Sequence, residues 1–142
     1  MGAGPSAGDV GADVAPSARI VGIVLGSRAP GRLAAWYRQV LGLGDGDAVV
    51  MAGGVKLSFT SDADIGPTTA EPDRLVLNFV VEDIEAVEAR LVAMEAVWVR
   101  ELERAPWGII GTVLDPDGNY VQIIETIRGN APWRAEGWEE SP

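Results

Sequence analysis

Residues 115–125 read D-P-D-G-N-Y-V-Q-I-I-E, and this stretch says most about the fold of the chain. Its first five positions hold only Asp, Pro, Gly and Asn, the residue types that favour tight turns. Tyr120 to Glu125 then predicts a strand, and the apolar run Ile109 to Leu114 predicts another just before the turn. The stretch therefore predicts two strands joined by a short turn.

The sequence before this strand pair predicts a helix between two further strands. Leu75 to Val81 is rich in β-branched residues and predicts a strand, and Asp83 suits the N-cap of a helix. Four apolar residues then recur at helical spacing: Ile84, Val87, Leu91 and Met94. Because Val97 to Leu102 again predicts a strand, the order in this half is strand, helix and three strands.

The first half of the chain repeats this order. The run that starts at Arg19 predicts a strand, and Pro30 begins a helix whose apolar face carries Leu33, Trp36, Tyr37, Val40 and Leu41. Ala48 to Met51 and Val55 to Thr60 predict two strands joined by a Gly-Gly turn. Only residues 44–47 separate helix and strand, so one strand is short or missing. The repeat indicates an internal duplication, with residues 61–73 as a linker.

Three segments resemble the vicinal-oxygen-chelate superfamily, which includes glyoxalases, extradiol dioxygenases and bleomycin-resistance proteins. They are A-P-G-R-L-A-A-W-Y-R-Q-V-L-G-L, V-E-D-I-E-A-V-E-A-R-L, and P-W-G followed by the stretch at 115–125. The resemblance implies an α+β fold in which two βαβββ modules form a curved mixed sheet, with helices on the outer face and a concave cavity. The domain would span residues 19–127, with modules at about 19–62 and 73–127.

Composition narrows the functions that this domain can have. The net charge of −10 disfavours nucleic acid and anionic membranes as partners. The chain has neither Cys nor His, which removes the usual nucleophile, general base and transition-metal ligands. Residues 1–18 predict a flexible leader without signal-peptide features, and no apolar run is long enough for a membrane span. We expect a cytoplasmic protein, with a tail at 128–142 that is disordered or folds over a neighbour.

The resemblance also indicates where metal ligands would lie, on the first and last strand of each module. These positions are Gly22, Lys56, Val76 and Gln122 in this chain. Gly and Val offer no side-chain donor, Lys is cationic, and Gln is a weak neutral donor. We therefore expect no metal and no cofactor.

Strand alternation predicts which side chains face the cavity. One set, which includes Leu57, Phe59, Leu75 and Leu77, should pack beneath the helices. The other set should bind a ligand, joined by Trp107 at the cavity mouth, where its indole would stack on a ligand or plug the core. The ten candidates are Gly22, Val24, Lys56, Ser58, Thr60, Val76, Asn78, Trp107, Gln122 and Ile124.

Lys56 is the best catalytic candidate, although the sequence assigns no catalytic residue. It is the only lysine in the chain and falls on the predicted cavity face. Its amine would hold an anionic group or act as a base, or its stem would pack on the sheet while the ammonium reaches water.

Four functions remain open from the sequence. The first is a metal-independent binding protein that sequesters a small molecule, such as an antibiotic or natural product. The alternative is a metal-independent isomerase, cyclase or lyase, followed by a metal-dependent enzyme and by a purely structural role. The resemblance and the frequency of two-fold assemblies predict a homodimer, in which the tail tryptophans would reach the partner's pocket.

Overall fold

The computed structural model describes residues 17–44 and 49–127. The strands are β1 (Gly22–Ser27), β2 (Val49–Ala52), β3 (Val55–Ser61), β4 (Leu77–Val80), β5 (Trp98–Ala105), β6 (Gly108–Leu114) and β7 (Tyr120–Thr126). The helices are α1 (Pro30–Leu41) and α2 (Ile84–Ala93), and a short 3-10 turn spans Pro72–Arg74. The predicted leader and tail lie almost wholly outside the described residues.

The strands form two mixed sheets that repeat one plan. The order is β1-β3-β2 in the three-stranded sheet and β4-β7-β6-β5 in the four-stranded sheet. In each sheet the first strand of the module pairs in parallel with its last strand. This confirms the predicted α+β fold and its duplication.

Among the described residues the first module has one strand fewer than the second; the short or missing strand that the sequence predicts at 44–47 falls almost wholly outside them. β5 pairs with β6 in the four-stranded sheet, whereas within the described residues no strand pairs with the outer side of β2. Residues 42–44 form no strand, and residues 45–48 lie outside the described part of the chain. The described first module is therefore βαββ.

Local sequence explains where the two helices begin and end. Pro30 lies at the start of α1, and Gly42 ends it in the left-handed conformation with a φ of 65°. Asp83 caps α2 as predicted, because its side chain accepts a hydrogen bond from the Ala86 N–H at 3.1 Å. Glu125 on β7 caps the same helix, since its Oε1 accepts from the Ile84 N–H at 2.9 Å. None of the described helices is long and apolar enough to cross a membrane.

The two helices and the sheet faces beneath them form the core. α1 contacts all three strands of its own sheet, and α2 contacts both β7 and α1. The predicted core residues of α1 are confirmed: Leu33, Tyr37 and Val40 have no exposed surface and Trp36 is 6% exposed. Tyr37 contacts Trp36 edge-on and Phe59 at a tilt within its own module, and its tilted contact with Phe79 joins the two modules.

Two residues that the sequence placed in the core are exposed. Leu75 is 61% exposed because β4 begins only at Leu77. Met94 is 40% exposed because α2 ends at Ala93, and the chain then turns through Glu95, whose φ is 55°. Both predictions extended a periodic pattern past the end of its element.

The turn at 115–119 also ties the modules together. The Tyr37 hydroxyl donates a hydrogen bond to Oδ2 of Asp115 at 2.7 Å, and Asp115 is buried. The carboxylate also accepts from the Asp117 N–H and from both the backbone and the side-chain amide of Asn119. Burial raises the pKa of the Asp115 carboxyl, and these hydrogen bonds limit the rise. Burial and the nearby carboxylates raise the pKa of the Tyr37 phenol far above its usual range.

Candidate small-molecule site

The candidate site is built on the sheet faces that point away from the helices. In the three-stranded sheet, Gly22 lies opposite Lys56, Val24 opposite Ser58, and Gly26 opposite Thr60. Their neighbours in sequence, such as Ile23, Leu57 and Phe59, pack into the core. Alternation therefore puts the five candidates of this module on one open face.

The four-stranded sheet presents a matching open face. Asn78 lies opposite Gln122, and Val80 lies opposite Ile124. Beyond β7, Thr112 and Ile110 of β6 lie opposite the same two β7 residues. The Gln122 Nε2 donates to the Thr112 Oγ1 at 3.5 Å, a long hydrogen bond that orients the amide.

Sequence reasoning missed three residues on these faces. Met51 on β2 lies opposite Lys56, so it shares the open face of the first module. Thr112 and Ile110 belong to the other face. The position of Thr112 was predictable from the sequence, because the short turn at 115–119 fixes the β6–β7 register and so places Thr112 beside Gln122.

The open faces expose large apolar side chains. Val24 is 66% exposed, Val80 is 53% exposed and Met51 is 47% exposed. Ile110 and Ile124 are buried, yet they lie on the side away from the helices and outside the main core cluster. An apolar surface with a few polar groups is typical of small-molecule sites.

The ten predicted residues do not line one cavity within the described chain. Val24 borders a hollow of about 510 Å³ next to the linker. Val76 and Asn78 line a groove of about 550 Å³ between the modules. The structure groups the candidates on two separate faces, with Val76 in the segment just before β4.

Lys56 is exposed on β3 and forms no ion pair with a carboxylate of the described residues. Gly22 on the adjacent strand leaves room beside it. A Cβ at Gly22 would lie 3.3 Å from the Lys56 carbonyl oxygen and 3.9 Å from the Lys56 Cβ. Because Lys56 is exposed and pairs with no carboxylate among the described residues, its ammonium is available to an anionic group of a ligand.

Trp107 lies in the turn between β5 and β6 and is half-buried. Its carbonyl accepts a hydrogen bond from the Ile127 N–H at 2.8 Å, which holds the turn against the end of β7. Gly108 follows with a φ of 152°, and a Cβ there would lie 2.0 Å from the Glu125 carbonyl oxygen. Trp107 thus lies beyond the end of β6, whose first residue, Gly108, is about 13 Å along the strand from the Thr112–Gln122 pair.

The four positions at which the superfamily would hold a metal do not fit one here. Gly22 and Lys56 are direct partners, while Asn78, not Val76, lies opposite Gln122. Whether the fourth residue is Val76 or Asn78, the set contains no carboxylate or imidazole ligand. Glu125 faces α2, where it serves as a helix cap. Among the described residues no group of three or more carboxylates converges on a possible metal position.

Two duplicated modules with open sheet faces define a protein of the two-module glyoxalase class. The model of the family described as "Glyoxalase-like domain" matches residues 22–124, and the chain belongs to this family. This confirms the resemblance drawn from the sequence. No curated protein matches the chain.

Solved structures share the fold at low sequence identity. A glyoxylase/bleomycin resistance protein/dioxygenase domain from Frankia sp. EAN1pec is 20% identical, with a TM-score of 0.62 over 79% of this chain and 100% of that one. The protein called oxidase ChaP-H1 is 19% identical, with a TM-score of 0.64 over 80% of this chain and 99% of that one. TioX from Micromonospora sp. ML1 is 18% identical, with a TM-score of 0.58 over 78% and 100%. These likenesses show the fold alone.

Proposed function

We propose that this protein is a metal-independent small-molecule-binding protein that sequesters an antibiotic or another natural product. The observation that carries the proposal is which residues occupy the four positions where the family would hold a metal. In the first module these positions hold Gly22 and Lys56. In the second they hold Gln122 and either Val76, by the family resemblance, or Asn78, by the strand register. The faces around them are open and carry exposed apolar side chains. Such faces suit binding of an organic molecule, whereas they lack the ligands for metal-assisted chemistry.

The side chains on the faces define the ligand class. Val24 and Val80 offer exposed apolar surface, while Lys56 offers a positive charge and Gln122 an amide. We infer a ligand with a planar or apolar body and an anionic oxygen, such as a carboxylate, phenolate or enolate. Nucleic acid is not the partner in this proposal, because the net charge of −10 repels it.

A homodimer belongs to the same proposal. The open face of one module would be covered by the open face of the other module in a second copy, which removes Val24 and Met51 from water. A two-fold axis gives two equivalent closed cavities from two chains. We also propose that the protein is cytoplasmic, as expected from the sequence.

The competing function is a metal-independent isomerase, cyclase or lyase that uses Lys56. The observation in its favour is the exposed Lys56 amine, which has no recorded acidic partner among the described residues. In an enzyme of this kind the amine would accept a proton from the substrate or stabilise its enolate. The names of the structural neighbours include oxidase and lactoylglutathione lyase, so the fold does not choose between these functions.

Native mass spectrometry separates the two functions. The chelator-treated protein is incubated with the small-molecule extract of its source organism, and the retained mass is compared with the input. A retained and unmodified compound supports sequestration, whereas a retained or released compound of changed mass supports the enzyme. If no compound is retained or changed, both proposals are wrong.

Two substitutions at Lys56 then define the role of the amine. Lys56→Arg keeps the charge but removes a titratable amine, and Lys56→Met removes both. For a binder of an anionic compound, we expect Lys56→Met to weaken binding by about tenfold or more, and Lys56→Arg to retain it. An enzyme that uses the amine as a base would lose turnover by about 100-fold or more in both variants. Unchanged binding in Lys56→Met would remove Lys56 from the site.

A further inference from the structure

The free edge of β4 borders an apolar groove between the two modules. β4 is the first strand of the four-stranded sheet and pairs only with β7 among the described residues. Six consecutive residues, Leu75 to Val80, line a groove of about 550 Å³ on this side. The opposite wall comes from the first module and includes Ile23, Leu43 and Leu57. Every side chain that lines the groove is uncharged, and Asn78 is the only polar one.

The backbone along this edge is available for strand pairing. The Val81 N–H donates to the Ile124 carbonyl of β7 at 2.8 Å. Because successive residues of a strand point their backbone groups to opposite sides, those of Val76, Asn78 and Val80 point to the free edge. Within the described chain only the Val76 carbonyl is engaged there, by the Asn78 side-chain amide at 3.3 Å. An exposed edge beside apolar side chains is the surface that accepts an added strand.

The chain itself supplies a segment of the right position and length. β7 is parallel to β4, and its ladder with β6 is continued by Ile127, so the chain leaves the sheet at the end where β4 also ends. Crossing β4 to reach its free edge takes about 10 Å, which is about three residues of extended chain. Residues 128–131 read R-G-N-A and contain the turn-forming pair Gly129-Asn130. The next residues are long enough to run back along the whole of β4.

We propose that residues 128–142 of this chain bind along the free edge of β4 as an antiparallel strand and place Trp133 and Trp138 in the groove. The two tryptophans are five residues apart, so on a strand their side chains point to opposite faces. One indole would pack between Leu77 and Ile23, and the other over Val76 and Val80. Pro132 is compatible with the first position of an outer strand. The second indole would cover Val80, which also belongs to the proposed ligand face, but the proposal holds whether or not the protein binds a small molecule.

The chain has no cysteine, so a single nitroxide label can be attached at an introduced cysteine. Leu75→Cys places the label beside the groove, and Val92→Cys on α2 is the matched control, because the two residues are 61% and 62% exposed. The readout is the set of five tryptophan indole N–H signals of the full chain, assigned with Trp133→Phe and Trp138→Phe. We expect the Leu75 label to remove the Trp133 and Trp138 signals until the nitroxide is reduced, and the Val92 label to leave them.

A mixture of labelled and unlabelled chains identifies the source of the segment. ¹⁵N-labelled wild-type protein is mixed with unlabelled protein that carries the Leu75 nitroxide. In this proposal the tail contacts its own β4, so the indole signals of the ¹⁵N chain stay. Loss of these signals in the mixture would show that a second copy supplies the tail. If neither the Leu75 label nor the Val92 label reduces the tryptophan signals of the chain that carries it, the groove is free of the tail. Either result overturns the proposal.

Discussion

The two modules of this protein follow the same plan, but among the described residues the first shows one strand fewer than the second. The second has four strands, and its carboxylate Glu125 reaches back to cap its own helix. The first has three described strands, and its helix instead sends Tyr37 into the second module, where it meets Asp115. The helix of the first module is thus tied to the turn at 115–119 of the second, and Arg90 of the second module donates in return to the Val40 carbonyl at 2.9 Å.

The largest expected effect comes from two glycines, one in each module, whose surroundings differ. Gly108→Ala would force a Cβ to within 2.0 Å of the Glu125 carbonyl oxygen and separate β6 from β7. We expect a loss of about 4 kcal/mol or more in the free energy of unfolding, measured by urea denaturation. Gly31→Ala in α1 is the control, because its Cβ would meet nothing within 4 Å. Equal stability of the two variants would contradict the tight packing at Gly108.

Tyr37→Phe tests the link between the modules. The variant removes one donor to the buried Asp115 carboxylate, so we expect a loss of about 1–3 kcal/mol in unfolding free energy. Tyr120→Phe changes the other tyrosine, whose side chain makes no hydrogen bond within the described residues, and should cost less than about 0.5 kcal/mol. If both variants cost the same, the Tyr37–Asp115 contact is not what holds the first module to the second.

Alkaline pH tests the same link without changing its geometry. The phenol of Tyr37 has a raised pKa in the folded protein, so the folded state disfavours its ionisation. Its contribution is complete below the ordinary pKa of about 10 and is lost above it by up to about 1.4 kcal/mol per pH unit. We therefore expect the stability advantage of wild type over Tyr37→Phe to shrink as pH rises from 10 to 11. An advantage that stays constant would mean that Tyr37 ionises freely when folded.

The smallest effect on stability, and a large one on assembly, is expected from the open face of the first module. Val24→Asp places a charge on the proposed dimer surface, while Val92→Asp places one on α2, and the two valines are 66% and 62% exposed. We expect light scattering to give twice the mass of one chain for wild type and Val92→Asp, and the mass of a single chain for Val24→Asp. A single-chain mass for wild type would remove the dimer from the account.

Much of the fold was predictable because it depends on local patterns. Local sequence alone predicts three features: the apolar stripe with Tyr37, the Asp83 cap and the turn at 115–119. The contacts between modules were not predictable, since the sequence does not show that Tyr37 meets Asp115 or that Glu125 caps α2. The same holds for the site. Alternation placed Lys56 and Gln122 on open faces, but only the strand register shows that Asn78 lies opposite Gln122.

The most direct test of the central claim is hydrogen exchange of the chelator-treated protein with and without the compound recovered from the extract. The account predicts slower exchange on the open-face strands of both modules, at residues 56–60, 78–80 and 120–124, with no metal added. Slower exchange confined to the α1–α2 side, around Arg32 and Trp36, would contradict it. So would binding that requires a metal ion.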